Sequence, residues 1–189
     1  ILSETYNVNS PISVSIDDFR VKNENTGVMY YSISGAVGAA SNSHIIHVWA
    51  GTYREKITIN KQITLVGNST SNTILNGSNV PGLGFGDSII TITSVNVVIK
   101  NLSLLSSDGN AILVNANDCD IENVYAAYNN NAGVNTGASF IKIFDSTFRE
   151  NGLRGIELQG ASEVSIINNT FIDDARGINI YNSNDVTIR

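Results

Sequence analysis

The chain has 189 residues and a formal net charge of −6, with 11 Lys and Arg residues against 17 Asp and Glu residues. This length suits one domain with its own core, and the few, scattered cations exclude a nucleic-acid surface, which needs clustered Lys and Arg. Asn (26), Ile (25) and Ser (21) dominate the composition, helix formers are scarce and no apolar run reaches about 18 residues, which excludes a helical bundle, a disordered tail and a membrane span.

The first 43 residues lack the repeat that organises the rest of the chain. They contain an alternating strand pattern at 12–16 and a helical spacing of apolar residues between 33 and 40. We therefore predict an N-terminal cap or attachment segment over 1–43. A short helix near 32–40 would cover the first coil and shield its strand edges. Because the chain starts at Ile1 without a Met, we expect a processed or excised segment.

A long loop is predicted between the first coils. The Ile-Thr-Ile patterns that start at Ile57 and Ile90 are 33 residues apart, about half as long again as the later repeat. The surplus falls in 76–87, where one Pro and four Gly preclude a strand. Such a loop is either a tolerated insertion or a functional excursion.

A 22-residue repeat organises the second half of the chain. An Ile that closes a strand pattern recurs at spacings of 22, 22, 23 and 22 residues, at Ile99, Ile121, Ile143, Ile166 and Ile188. A second strand pattern starts every 22 residues, at Ile112, Val134, Ile156 and Ile178. Strands of period two with short Asn, Gly and Ser turns predict a coil that returns above itself with about 4.8 Å of rise, and the leucine-rich repeat pattern is missing. The fold predicted for 44–189 is an all-β, single-stranded parallel β-helix solenoid of about 22 residues per coil.

One Asn column follows the same repeat. Asn101, Asn123 and Asn168 each come two residues after an anchor Ile, and Asp145 fills the remaining slot. Side chains stacked in this way can hydrogen-bond along the solenoid axis and turn the backbone tightly. We therefore predict a structural asparagine ladder.

The last strand pattern, 186–188, opens a new coil just before Arg189. We expect a β-helix that is incomplete at its C-terminus and belongs to a longer protein. The alternative is that another chain covers this end, so that self-association through the open last coil is possible.

Two stretches resemble a known superfamily. Residues 45–67, with Ala-Gly-Thr-Tyr-x-Glu and Ile-Thr-Leu-x-Gly, resemble the first coil of pectin methylesterases and of many surface β-helix proteins. Residues 96–189 are similar to the repeats of NosD-like copper maturation factors and of archaeal and bacterial surface proteins. Over about 30–189 the chain thus resembles the right-handed parallel β-helix, pectin-lyase-like superfamily. The resemblance implies a right-handed coil and a fold that hosts lyases, hydrolases, esterases, epimerases, adhesins and inert scaffolds.

The catalytic motifs of these relatives are incomplete. The Gly-x-Val-Asp-Phe-Ile-Phe-Gly stretch of pectin methylesterases does not occur, and of the polygalacturonase motifs only the pair Asp173-Asp174 is present. The calcium-binding carboxylates and basic residue of pectate lyases cannot be assembled on one sheet. We therefore expect a protein that is not an enzyme, or one whose chemistry lies in a further part of the chain.

One acidic constellation still has the spacing of a catalytic site. Glu150 and Asp173 each lie seven residues after an anchor Ile, which places them on adjacent coils about 5 Å apart, as in a retaining glycosidase. The competing interpretation, which we favour, is a salt-bridge ladder in which each carboxylate pairs with an Arg three or four residues further on. The candidate catalytic residues are Glu150, Asp173, Asp174, Arg154 and Arg176.

Other side chains give weaker signals. Aromatic rings stack on sugars, and the candidates are Trp49, Tyr125, Tyr128 and Tyr181. Candidate glycosylation sequons, in a number that chance alone explains, start at Asn68, Asn76, Asn101 and Asn168. His44 and His47 point to opposite faces of a strand and Cys119 fills a core slot, so we predict no metal site and no cofactor.

These observations favour a secreted or cell-surface β-helix that acts as a structural scaffold or as a carbohydrate-associated binding or adhesion module. A polysaccharide or another glycan is the expected partner. One alternative is a polysaccharide-active lyase, hydrolase or esterase with the carboxylate cluster on adjacent coils and the loop 76–87 as one wall of its cleft. A second alternative is a subunit of a surface assembly or fibre that stacks end to end.

Overall fold

The structure, a computed structural model, describes residues 20–189, so the strand predicted at 12–16 lies outside the described residues. In chain order the elements are β1 (Val21–Asn23), β2 (Met29–Tyr30), α1 (Ile33–Ala39), β3 (His44–Val48), β4 (Gly51–Tyr53), β5 (Ile57–Ile59), β6 (Ile63–Gly67), β7 (Thr73–Asn76), β8 (Ile90–Ile92), β9 (Val98–Leu105), β10 (Ile112–Val114), β11 (Asp120–Ala127), β12 (Ala132–Thr136), β13 (Lys142–Phe144), β14 (Thr147–Arg149), β15 (Arg154–Gln159), β16 (Ser162–Ile167), β17 (Thr170–Ile172), β18 (Ile178–Tyr181) and β19 (Asn184–Ile188).

The strands form three faces that wind through about seven coils. The first face runs through β3, β6, the start of β9, the start of β11, β13, β16 and β19. The second face contains β4, β7, the ends of β9 and β11, β14 and β17, and the third contains β5, β8, β10, β12, β15 and β18. From β3 onward the paired strands are parallel. The predicted parallel β-helix is confirmed.

The predicted stacking register is also confirmed. Ile121 lies between Ile99 and Ile143, and Val134 lies between Ile112 and Ile156. Their side chains point inward and are buried, so each coil adds one layer of Ile and Val to a continuous core. The single spacing of 23 residues is located in the turn before β16, where Gly160, with φ of 75°, accommodates the extra residue.

The predicted helix near 32–40 is confirmed as α1. Ser32 caps it by accepting a hydrogen bond from the backbone N–H of Gly35, and the carboxylate of Glu55 accepts from the N–H groups of Ile33 and Ser34, both at 2.9 Å. The helix packs its buried face against β1, β2, β3 and β5. Sequence reasoning missed the hairpin of β1 and β2, in which β1 pairs antiparallel with β3 and covers the free edge of the first face.

Phenylalanine rings fill the core where the second face meets the third. The rings of Phe148 and Phe171 stack with centroids 5.4 Å apart. A Cβ atom on Gly133 would lie 2.3 Å from the ring of Phe148, and one on Gly155 would lie 2.5 Å from that of Phe171. Glycine at these positions of the third face therefore leaves room for the rings.

The corners of the coil are built from residues in the left-handed conformation. Three columns of non-glycine residues with φ between 46° and 60° run along the axis. Their members are Asn96, Asp118, Phe140, Glu163 and Asp185; Asn101, Asn123, Asp145 and Asn168; and Ser106, Tyr128, Glu150 and Asp173. Asn and Asp tolerate this conformation, whereas a bulkier residue costs about 1–2 kcal/mol there.

The second column is the predicted asparagine ladder. Asn123 Nδ2 donates to Asn101 Oδ1 at 2.9 Å, and Asn168 Nδ2 donates to Asp145 Oδ1 at 2.6 Å. Both hydrogen bonds link adjacent coils on the outside of the solenoid. The prediction is confirmed.

A second, buried ladder escaped the sequence analysis. Asn129 Nδ2 donates to Asn151 Oδ1 at 2.9 Å, and Asn151 Nδ2 donates to the carbonyl of Ala126 at 3.1 Å and to Asp174 Oδ1 at 2.8 Å. In each of the three ladder residues, Asn129, Asn151 and Asp174, the Oδ1 atom also accepts a hydrogen bond from a backbone N–H group of the preceding coil. This ladder satisfies buried polar groups at the corner between the second and third faces.

We expect Asn151→Ala to lower the free energy of unfolding by about 3 kcal/mol, because it leaves several buried donors and acceptors without partners. Asn123→Gly, which removes an exposed amide but keeps the left-handed turn, should cost about 0.5 kcal/mol. Urea denaturation of the two variants measures both values. Equal stabilities would contradict the structural role of the buried ladder.

Candidate functional site

One turn of each coil, between the second and third faces, forms a polar strip that we call the turn band. It contains residues 106–108, 128–130, 150–152 and 173–175, which are held in register by hydrogen bonds between coils. Two open depressions lie on it. The first is lined by Ser78, Asn79, Ser106, Ser107, Asp108, Tyr128 and Asn130. The second is lined by Glu150, Asn151, Gly152, Asp173 and Ala175.

The predicted long loop forms one wall of the first depression. It spans residues 77–89 between β7 and β8 and contains no strand, which confirms the excursion predicted at 76–87. Its residues Val80 and Leu83 are buried, and Lys56 Nζ lies 2.9 Å from Asp87 Oδ2. The loop is thus packed onto the solenoid, with Ser78 and Asn79 facing the turn band.

The two carboxylates of the predicted catalytic pair do lie on adjacent coils of the turn band. Glu150 and Asp173 follow the paired residues Arg149 and Ile172, and both have left-handed backbones. Glu150 Oε1 accepts from Arg149 Nε at 2.8 Å. The cation that neutralises Glu150 is therefore its neighbour in sequence.

The predicted pairing of these carboxylates with Arg154 and Arg176 is wrong. Arg154 lies at the start of β15, on the third face, and its Nη1 is 2.9 Å from Glu157 Oε2. Glu157 is buried beside it and also accepts from Asn179. Within residues 20–189, Arg176 forms no ion pair. Arg154 therefore reaches Glu157 on its own strand and not the carboxylate in the preceding turn.

Asp174 ends the buried ladder as its only carboxylate. Its Oδ1 accepts from the backbone N–H and from Nδ2 of Asn151, both at 2.8 Å. Its Oδ2 is buried and has no hydrogen-bond partner among the described residues. Burial raises the pKa of this carboxyl, against the opposing effect of the hydrogen bonds from Asn151. In the two preceding coils, Asn129 and Asn151 carry an amide nitrogen where Asp174 carries Oδ2. Each of these nitrogens donates a hydrogen bond to a backbone carbonyl.

Two of the four candidate aromatic residues lie at the turn band. Tyr128 stands in the same column as Glu150, and Tyr125 lies close enough to Tyr128 and Arg149 for their charges to act on its hydroxyl. Burial raises the pKa of Tyr125. Trp49 lies in the turn after β3 and Tyr181 at the end of β18, so both lie outside the turn band.

The side-chain amides of all four sequons make contacts. Asn68 Oδ1 lies 2.7 Å from His47 Nε2, and Asn76 Oδ1 accepts from the N–H of Ser78. Asn101 and Asn168 are members of the exposed ladder. Glycosylation of these residues stays a prediction, and each modified amide would have to give up or share its present contact.

The histidines and the cysteine have separate surroundings. His44 contacts Asn23, whereas His47 contacts Glu24 and Asn68. Cys119 is buried, which raises the pKa of its thiol. Between residues 20 and 189, no three His, Cys, Asp or Glu side chains are grouped so that they could hold a metal ion. The one helix of this part of the chain is too short to cross a membrane.

Sequence reasoning also missed a groove on the first face. Phe140, 46% exposed, lies in it beside Asp118 and Glu163 of the same left-handed column. Lys142 and Asp120 form an ion pair at 3.8 Å on its floor. The available signal was the repeat itself, since Phe140 occupies a turn slot that other coils fill with Asn, Asp or Glu.

Comparisons with known proteins agree with the coil geometry. A family model described as a right handed beta helix region matches residues 63–189. The structure of an alginate lyase from Paenibacillus sp. str. FPU-7 superposes with a TM-score of 0.67 at 18% identity, over 83% of this chain and 71% of that chain. Among proteins of curated function, no sequence matches significantly.

Two pectin methylesterase structures are also similar. For PemA from Erwinia chrysanthemi the TM-score is 0.58 at 16% identity, over 77% of this chain and 53% of that chain. For a pectin methylesterase in complex with hexasaccharide VII the TM-score is 0.59 at 16% identity, over 87% of this chain and 64% of that chain. At these identities the likeness concerns the fold.

The three parallel faces and the column-built corners define a parallel β-helix solenoid. Since the matched region covers most of the chain, the protein belongs to the right-handed β-helix family. The predicted handedness is thereby confirmed, and the alginate lyase and pectin methylesterase structures share the predicted fold.

We expect Asp174→Asn to stabilise the protein at pH 7 by about 1 kcal/mol, because an amide there can donate the hydrogen bond that the ionised carboxylate cannot. A raised pKa in the folded state means that the contribution of Asp174 to stability is greatest below its ordinary pKa of 3.8 and is lost as the pH rises through the folded value. The gain from the substitution should therefore vanish at acidic pH.

Thermal unfolding between pH 3 and pH 8 checks this expectation. Asp118→Asn is the matched control, since Asp118 is exposed, has a left-handed backbone and lies outside the ladder. A gain that is the same at every pH, or that also appears in the control, would contradict the role assigned to Asp174.

Proposed function

We propose that the protein is a β-helix scaffold that binds a glycan along the turn band without cleaving it. The observation that carries this proposal is Tyr128, which lines the first depression with its side chain 47% exposed although its backbone has a φ of 60°. A bulky residue in this conformation costs about 1–2 kcal/mol, which Asn or Gly would largely avoid. Strain of this kind is found at sites that contact ligands.

The shape of the turn band supports an extended ligand. It crosses four coils, so its first and last rungs are about 14 Å apart. The loop 77–89 bounds one side with the polar residues Ser78 and Asn79, and Asn130 lies in the same depression. An open strip with an aromatic ring and several amide and hydroxyl groups suits the hydroxyls and the apolar ring faces of sugars.

The engagement of the carboxylates supports binding rather than cleavage. Glycoside hydrolysis typically uses a pair of carboxyl groups that are free to take and give a proton. Glu150 is held by Arg149, and Asp174 Oδ1 already accepts two hydrogen bonds in the buried ladder. The similar structures are named as an alginate lyase and pectin methylesterases, which supports a polysaccharide as the class of ligand.

A second candidate function is that of a polysaccharide-active enzyme. It is favoured by the raised pKa of Asp174, to which the charge of neighbouring Asp173 contributes after burial. A carboxyl group with a raised pKa is a candidate general acid, and the carboxylates of Glu150 and Asp173 line the open depression next to it. In that case Asp174 would donate the proton, and Glu150 or Asp173 would act as base or nucleophile.

We also propose an extracellular or cell-surface location, since long polysaccharides are met there. Self-association through the last described coil is a separate prediction.

On an array of neutral and acidic polysaccharides, we expect the protein to be retained without releasing oligosaccharides. Tyr128→Ala should weaken retention about tenfold, which corresponds to about 1.4 kcal/mol for the loss of a stacking contact. Asp173→Asn should change neither retention nor product release. Release of oligosaccharides that stops in Asp173→Asn would establish the enzyme instead, and no retention on any glycan would overturn the proposal.

Comparison of Tyr128→Asn with Tyr128→Ala separates strain from ligand contact. Both variants should lose affinity equally, because both lack the ring. Asn tolerates the left-handed backbone, so we expect Tyr128→Asn to be more stable than Tyr128→Ala by about 1 kcal/mol in urea denaturation. Equal stabilities would remove the argument that this site sustains strain for the sake of the ring.

A further inference from the structure

The loop 77–89 holds one aromatic ring away from the rest of the protein. Phe85 is 97% exposed, between Gly84 and Gly86. The loop buries its apolar side chains Val80, Leu83 and Ile89, and Ile89 is part of the continuous core of the solenoid. It therefore has an apolar anchor, and the exposure of Phe85 contributes nothing to holding it in place.

Polar contacts fix the part of the loop that carries Phe85. Asp87 pairs with Lys56 at 2.9 Å and accepts from the N–H of Gly84 at the same distance. The N–H of Gly86 donates to the carbonyl of Asp108 at 3.2 Å, and Asp108 lines the first depression of the turn band. Phe85 is thus presented next to the end of the turn band.

The coil register relates Phe85 to Tyr128. The loop occupies the turn before β8, and Tyr128 occupies the turn before β12, two coils further along the stack. Two coils correspond to about 10 Å along the axis. In an extended glycan, every second sugar ring lies at about this spacing. One glycan chain along the turn band can therefore place a ring face on both aromatic side chains.

The charges of the turn band restrict the glycan. Asp108 lines the first depression, Glu150 and Asp173 line the second, and neither depression is lined by Lys or Arg. Arg149 beside it is committed to Glu150. A chain of uronic acids would bring carboxylates next to Asp108, Glu150 and Asp173. The exposed Arg176, which follows Ala175 and forms no ion pair among the described residues, is one cation against these carboxylates, so repulsion disfavours a polyanion.

We propose that Phe85 and Tyr128 are the two stacking contacts of one glycan site and that its ligand is an uncharged polysaccharide. This inference rests on the proposed function and assigns its ligand class. It gives Phe85 a binding role in which the loop backbone, held by the contacts of Asp87 and Asp108, places the ring beside the turn band before the ligand binds.

The test measures affinity of the full chain for xylan and glucomannan as uncharged probes and for polygalacturonate and alginate as polyanions. We expect affinity for at least one uncharged probe and about tenfold weaker binding by Phe85→Ala, with an unchanged melting temperature because the side chain is exposed. Tyr181→Ala is the matched control: Tyr181 is 63% exposed and lies outside the turn band, so its loss should leave the affinity unchanged.

Each contrary outcome has a separate meaning. Binding to an uncharged glycan that Phe85→Ala and Tyr181→Ala weaken equally, or not at all, would overturn the role of Phe85 while leaving glycan binding intact. Tighter binding to the polyanions at low salt would overturn the ligand class. Absence of binding to all four probes would overturn the proposed function and this inference with it.

Discussion

The register of hydrogen bonds between coils is the constraint on which the rest of the structure depends. Each strand pairs with the strands of the coils before and after it, so every coil must turn at the same places. The corners consequently fall in columns of left-handed residues, and inward side chains fall in columns of Ile and Val. A residue that is added in one turn must be compensated in a nearby turn if the later strands are to keep their register. The extra residue at Gly160 is compensated in the next turn, because the step from Ile172 to Ile178 is one residue shorter than the equivalent step from Arg149 to Ile156, and the third face keeps its register.

Features that repeat could be predicted from the sequence, because the period is visible in the residues themselves. The columns through Ile121 and Val134, the exposed ladder and the excursion at 77–89 all follow from counting in units of 22. The hairpin of β1 and β2 occurs once and has no period to reveal it. The buried ladder was missed for another reason: the identity of an Asn does not tell whether its corner turns the side chain inward or outward.

The candidate site likewise contains features that the repeat predicts and features that it does not. Register alone placed Glu150 and Asp173 on adjacent coils. It could not choose the partner of Arg154, since that depends on the direction in which a strand end projects its side chains, and Glu157 is nearer than Glu150. The exposure of Phe85 depends on which apolar residues of the loop are buried, and in this loop Val80 and Leu83 are buried whereas Phe85 is not. Such competition among neighbouring side chains is not encoded in the spacing of a repeat.

The closed N-terminal end gives the solenoid a fixed origin. Because β1 runs antiparallel to β3 and α1 covers the first coil, distances along the axis are counted from that end in steps of one coil, about 4.8 Å each. Duplication of one 22-residue unit between the loop and Tyr128 would move the two rings apart by one step without changing the surroundings of either. The number of coils between two contact residues therefore sets the distance between them along the axis. That distance is the length of glycan chain that a ligand needs in order to reach both contacts.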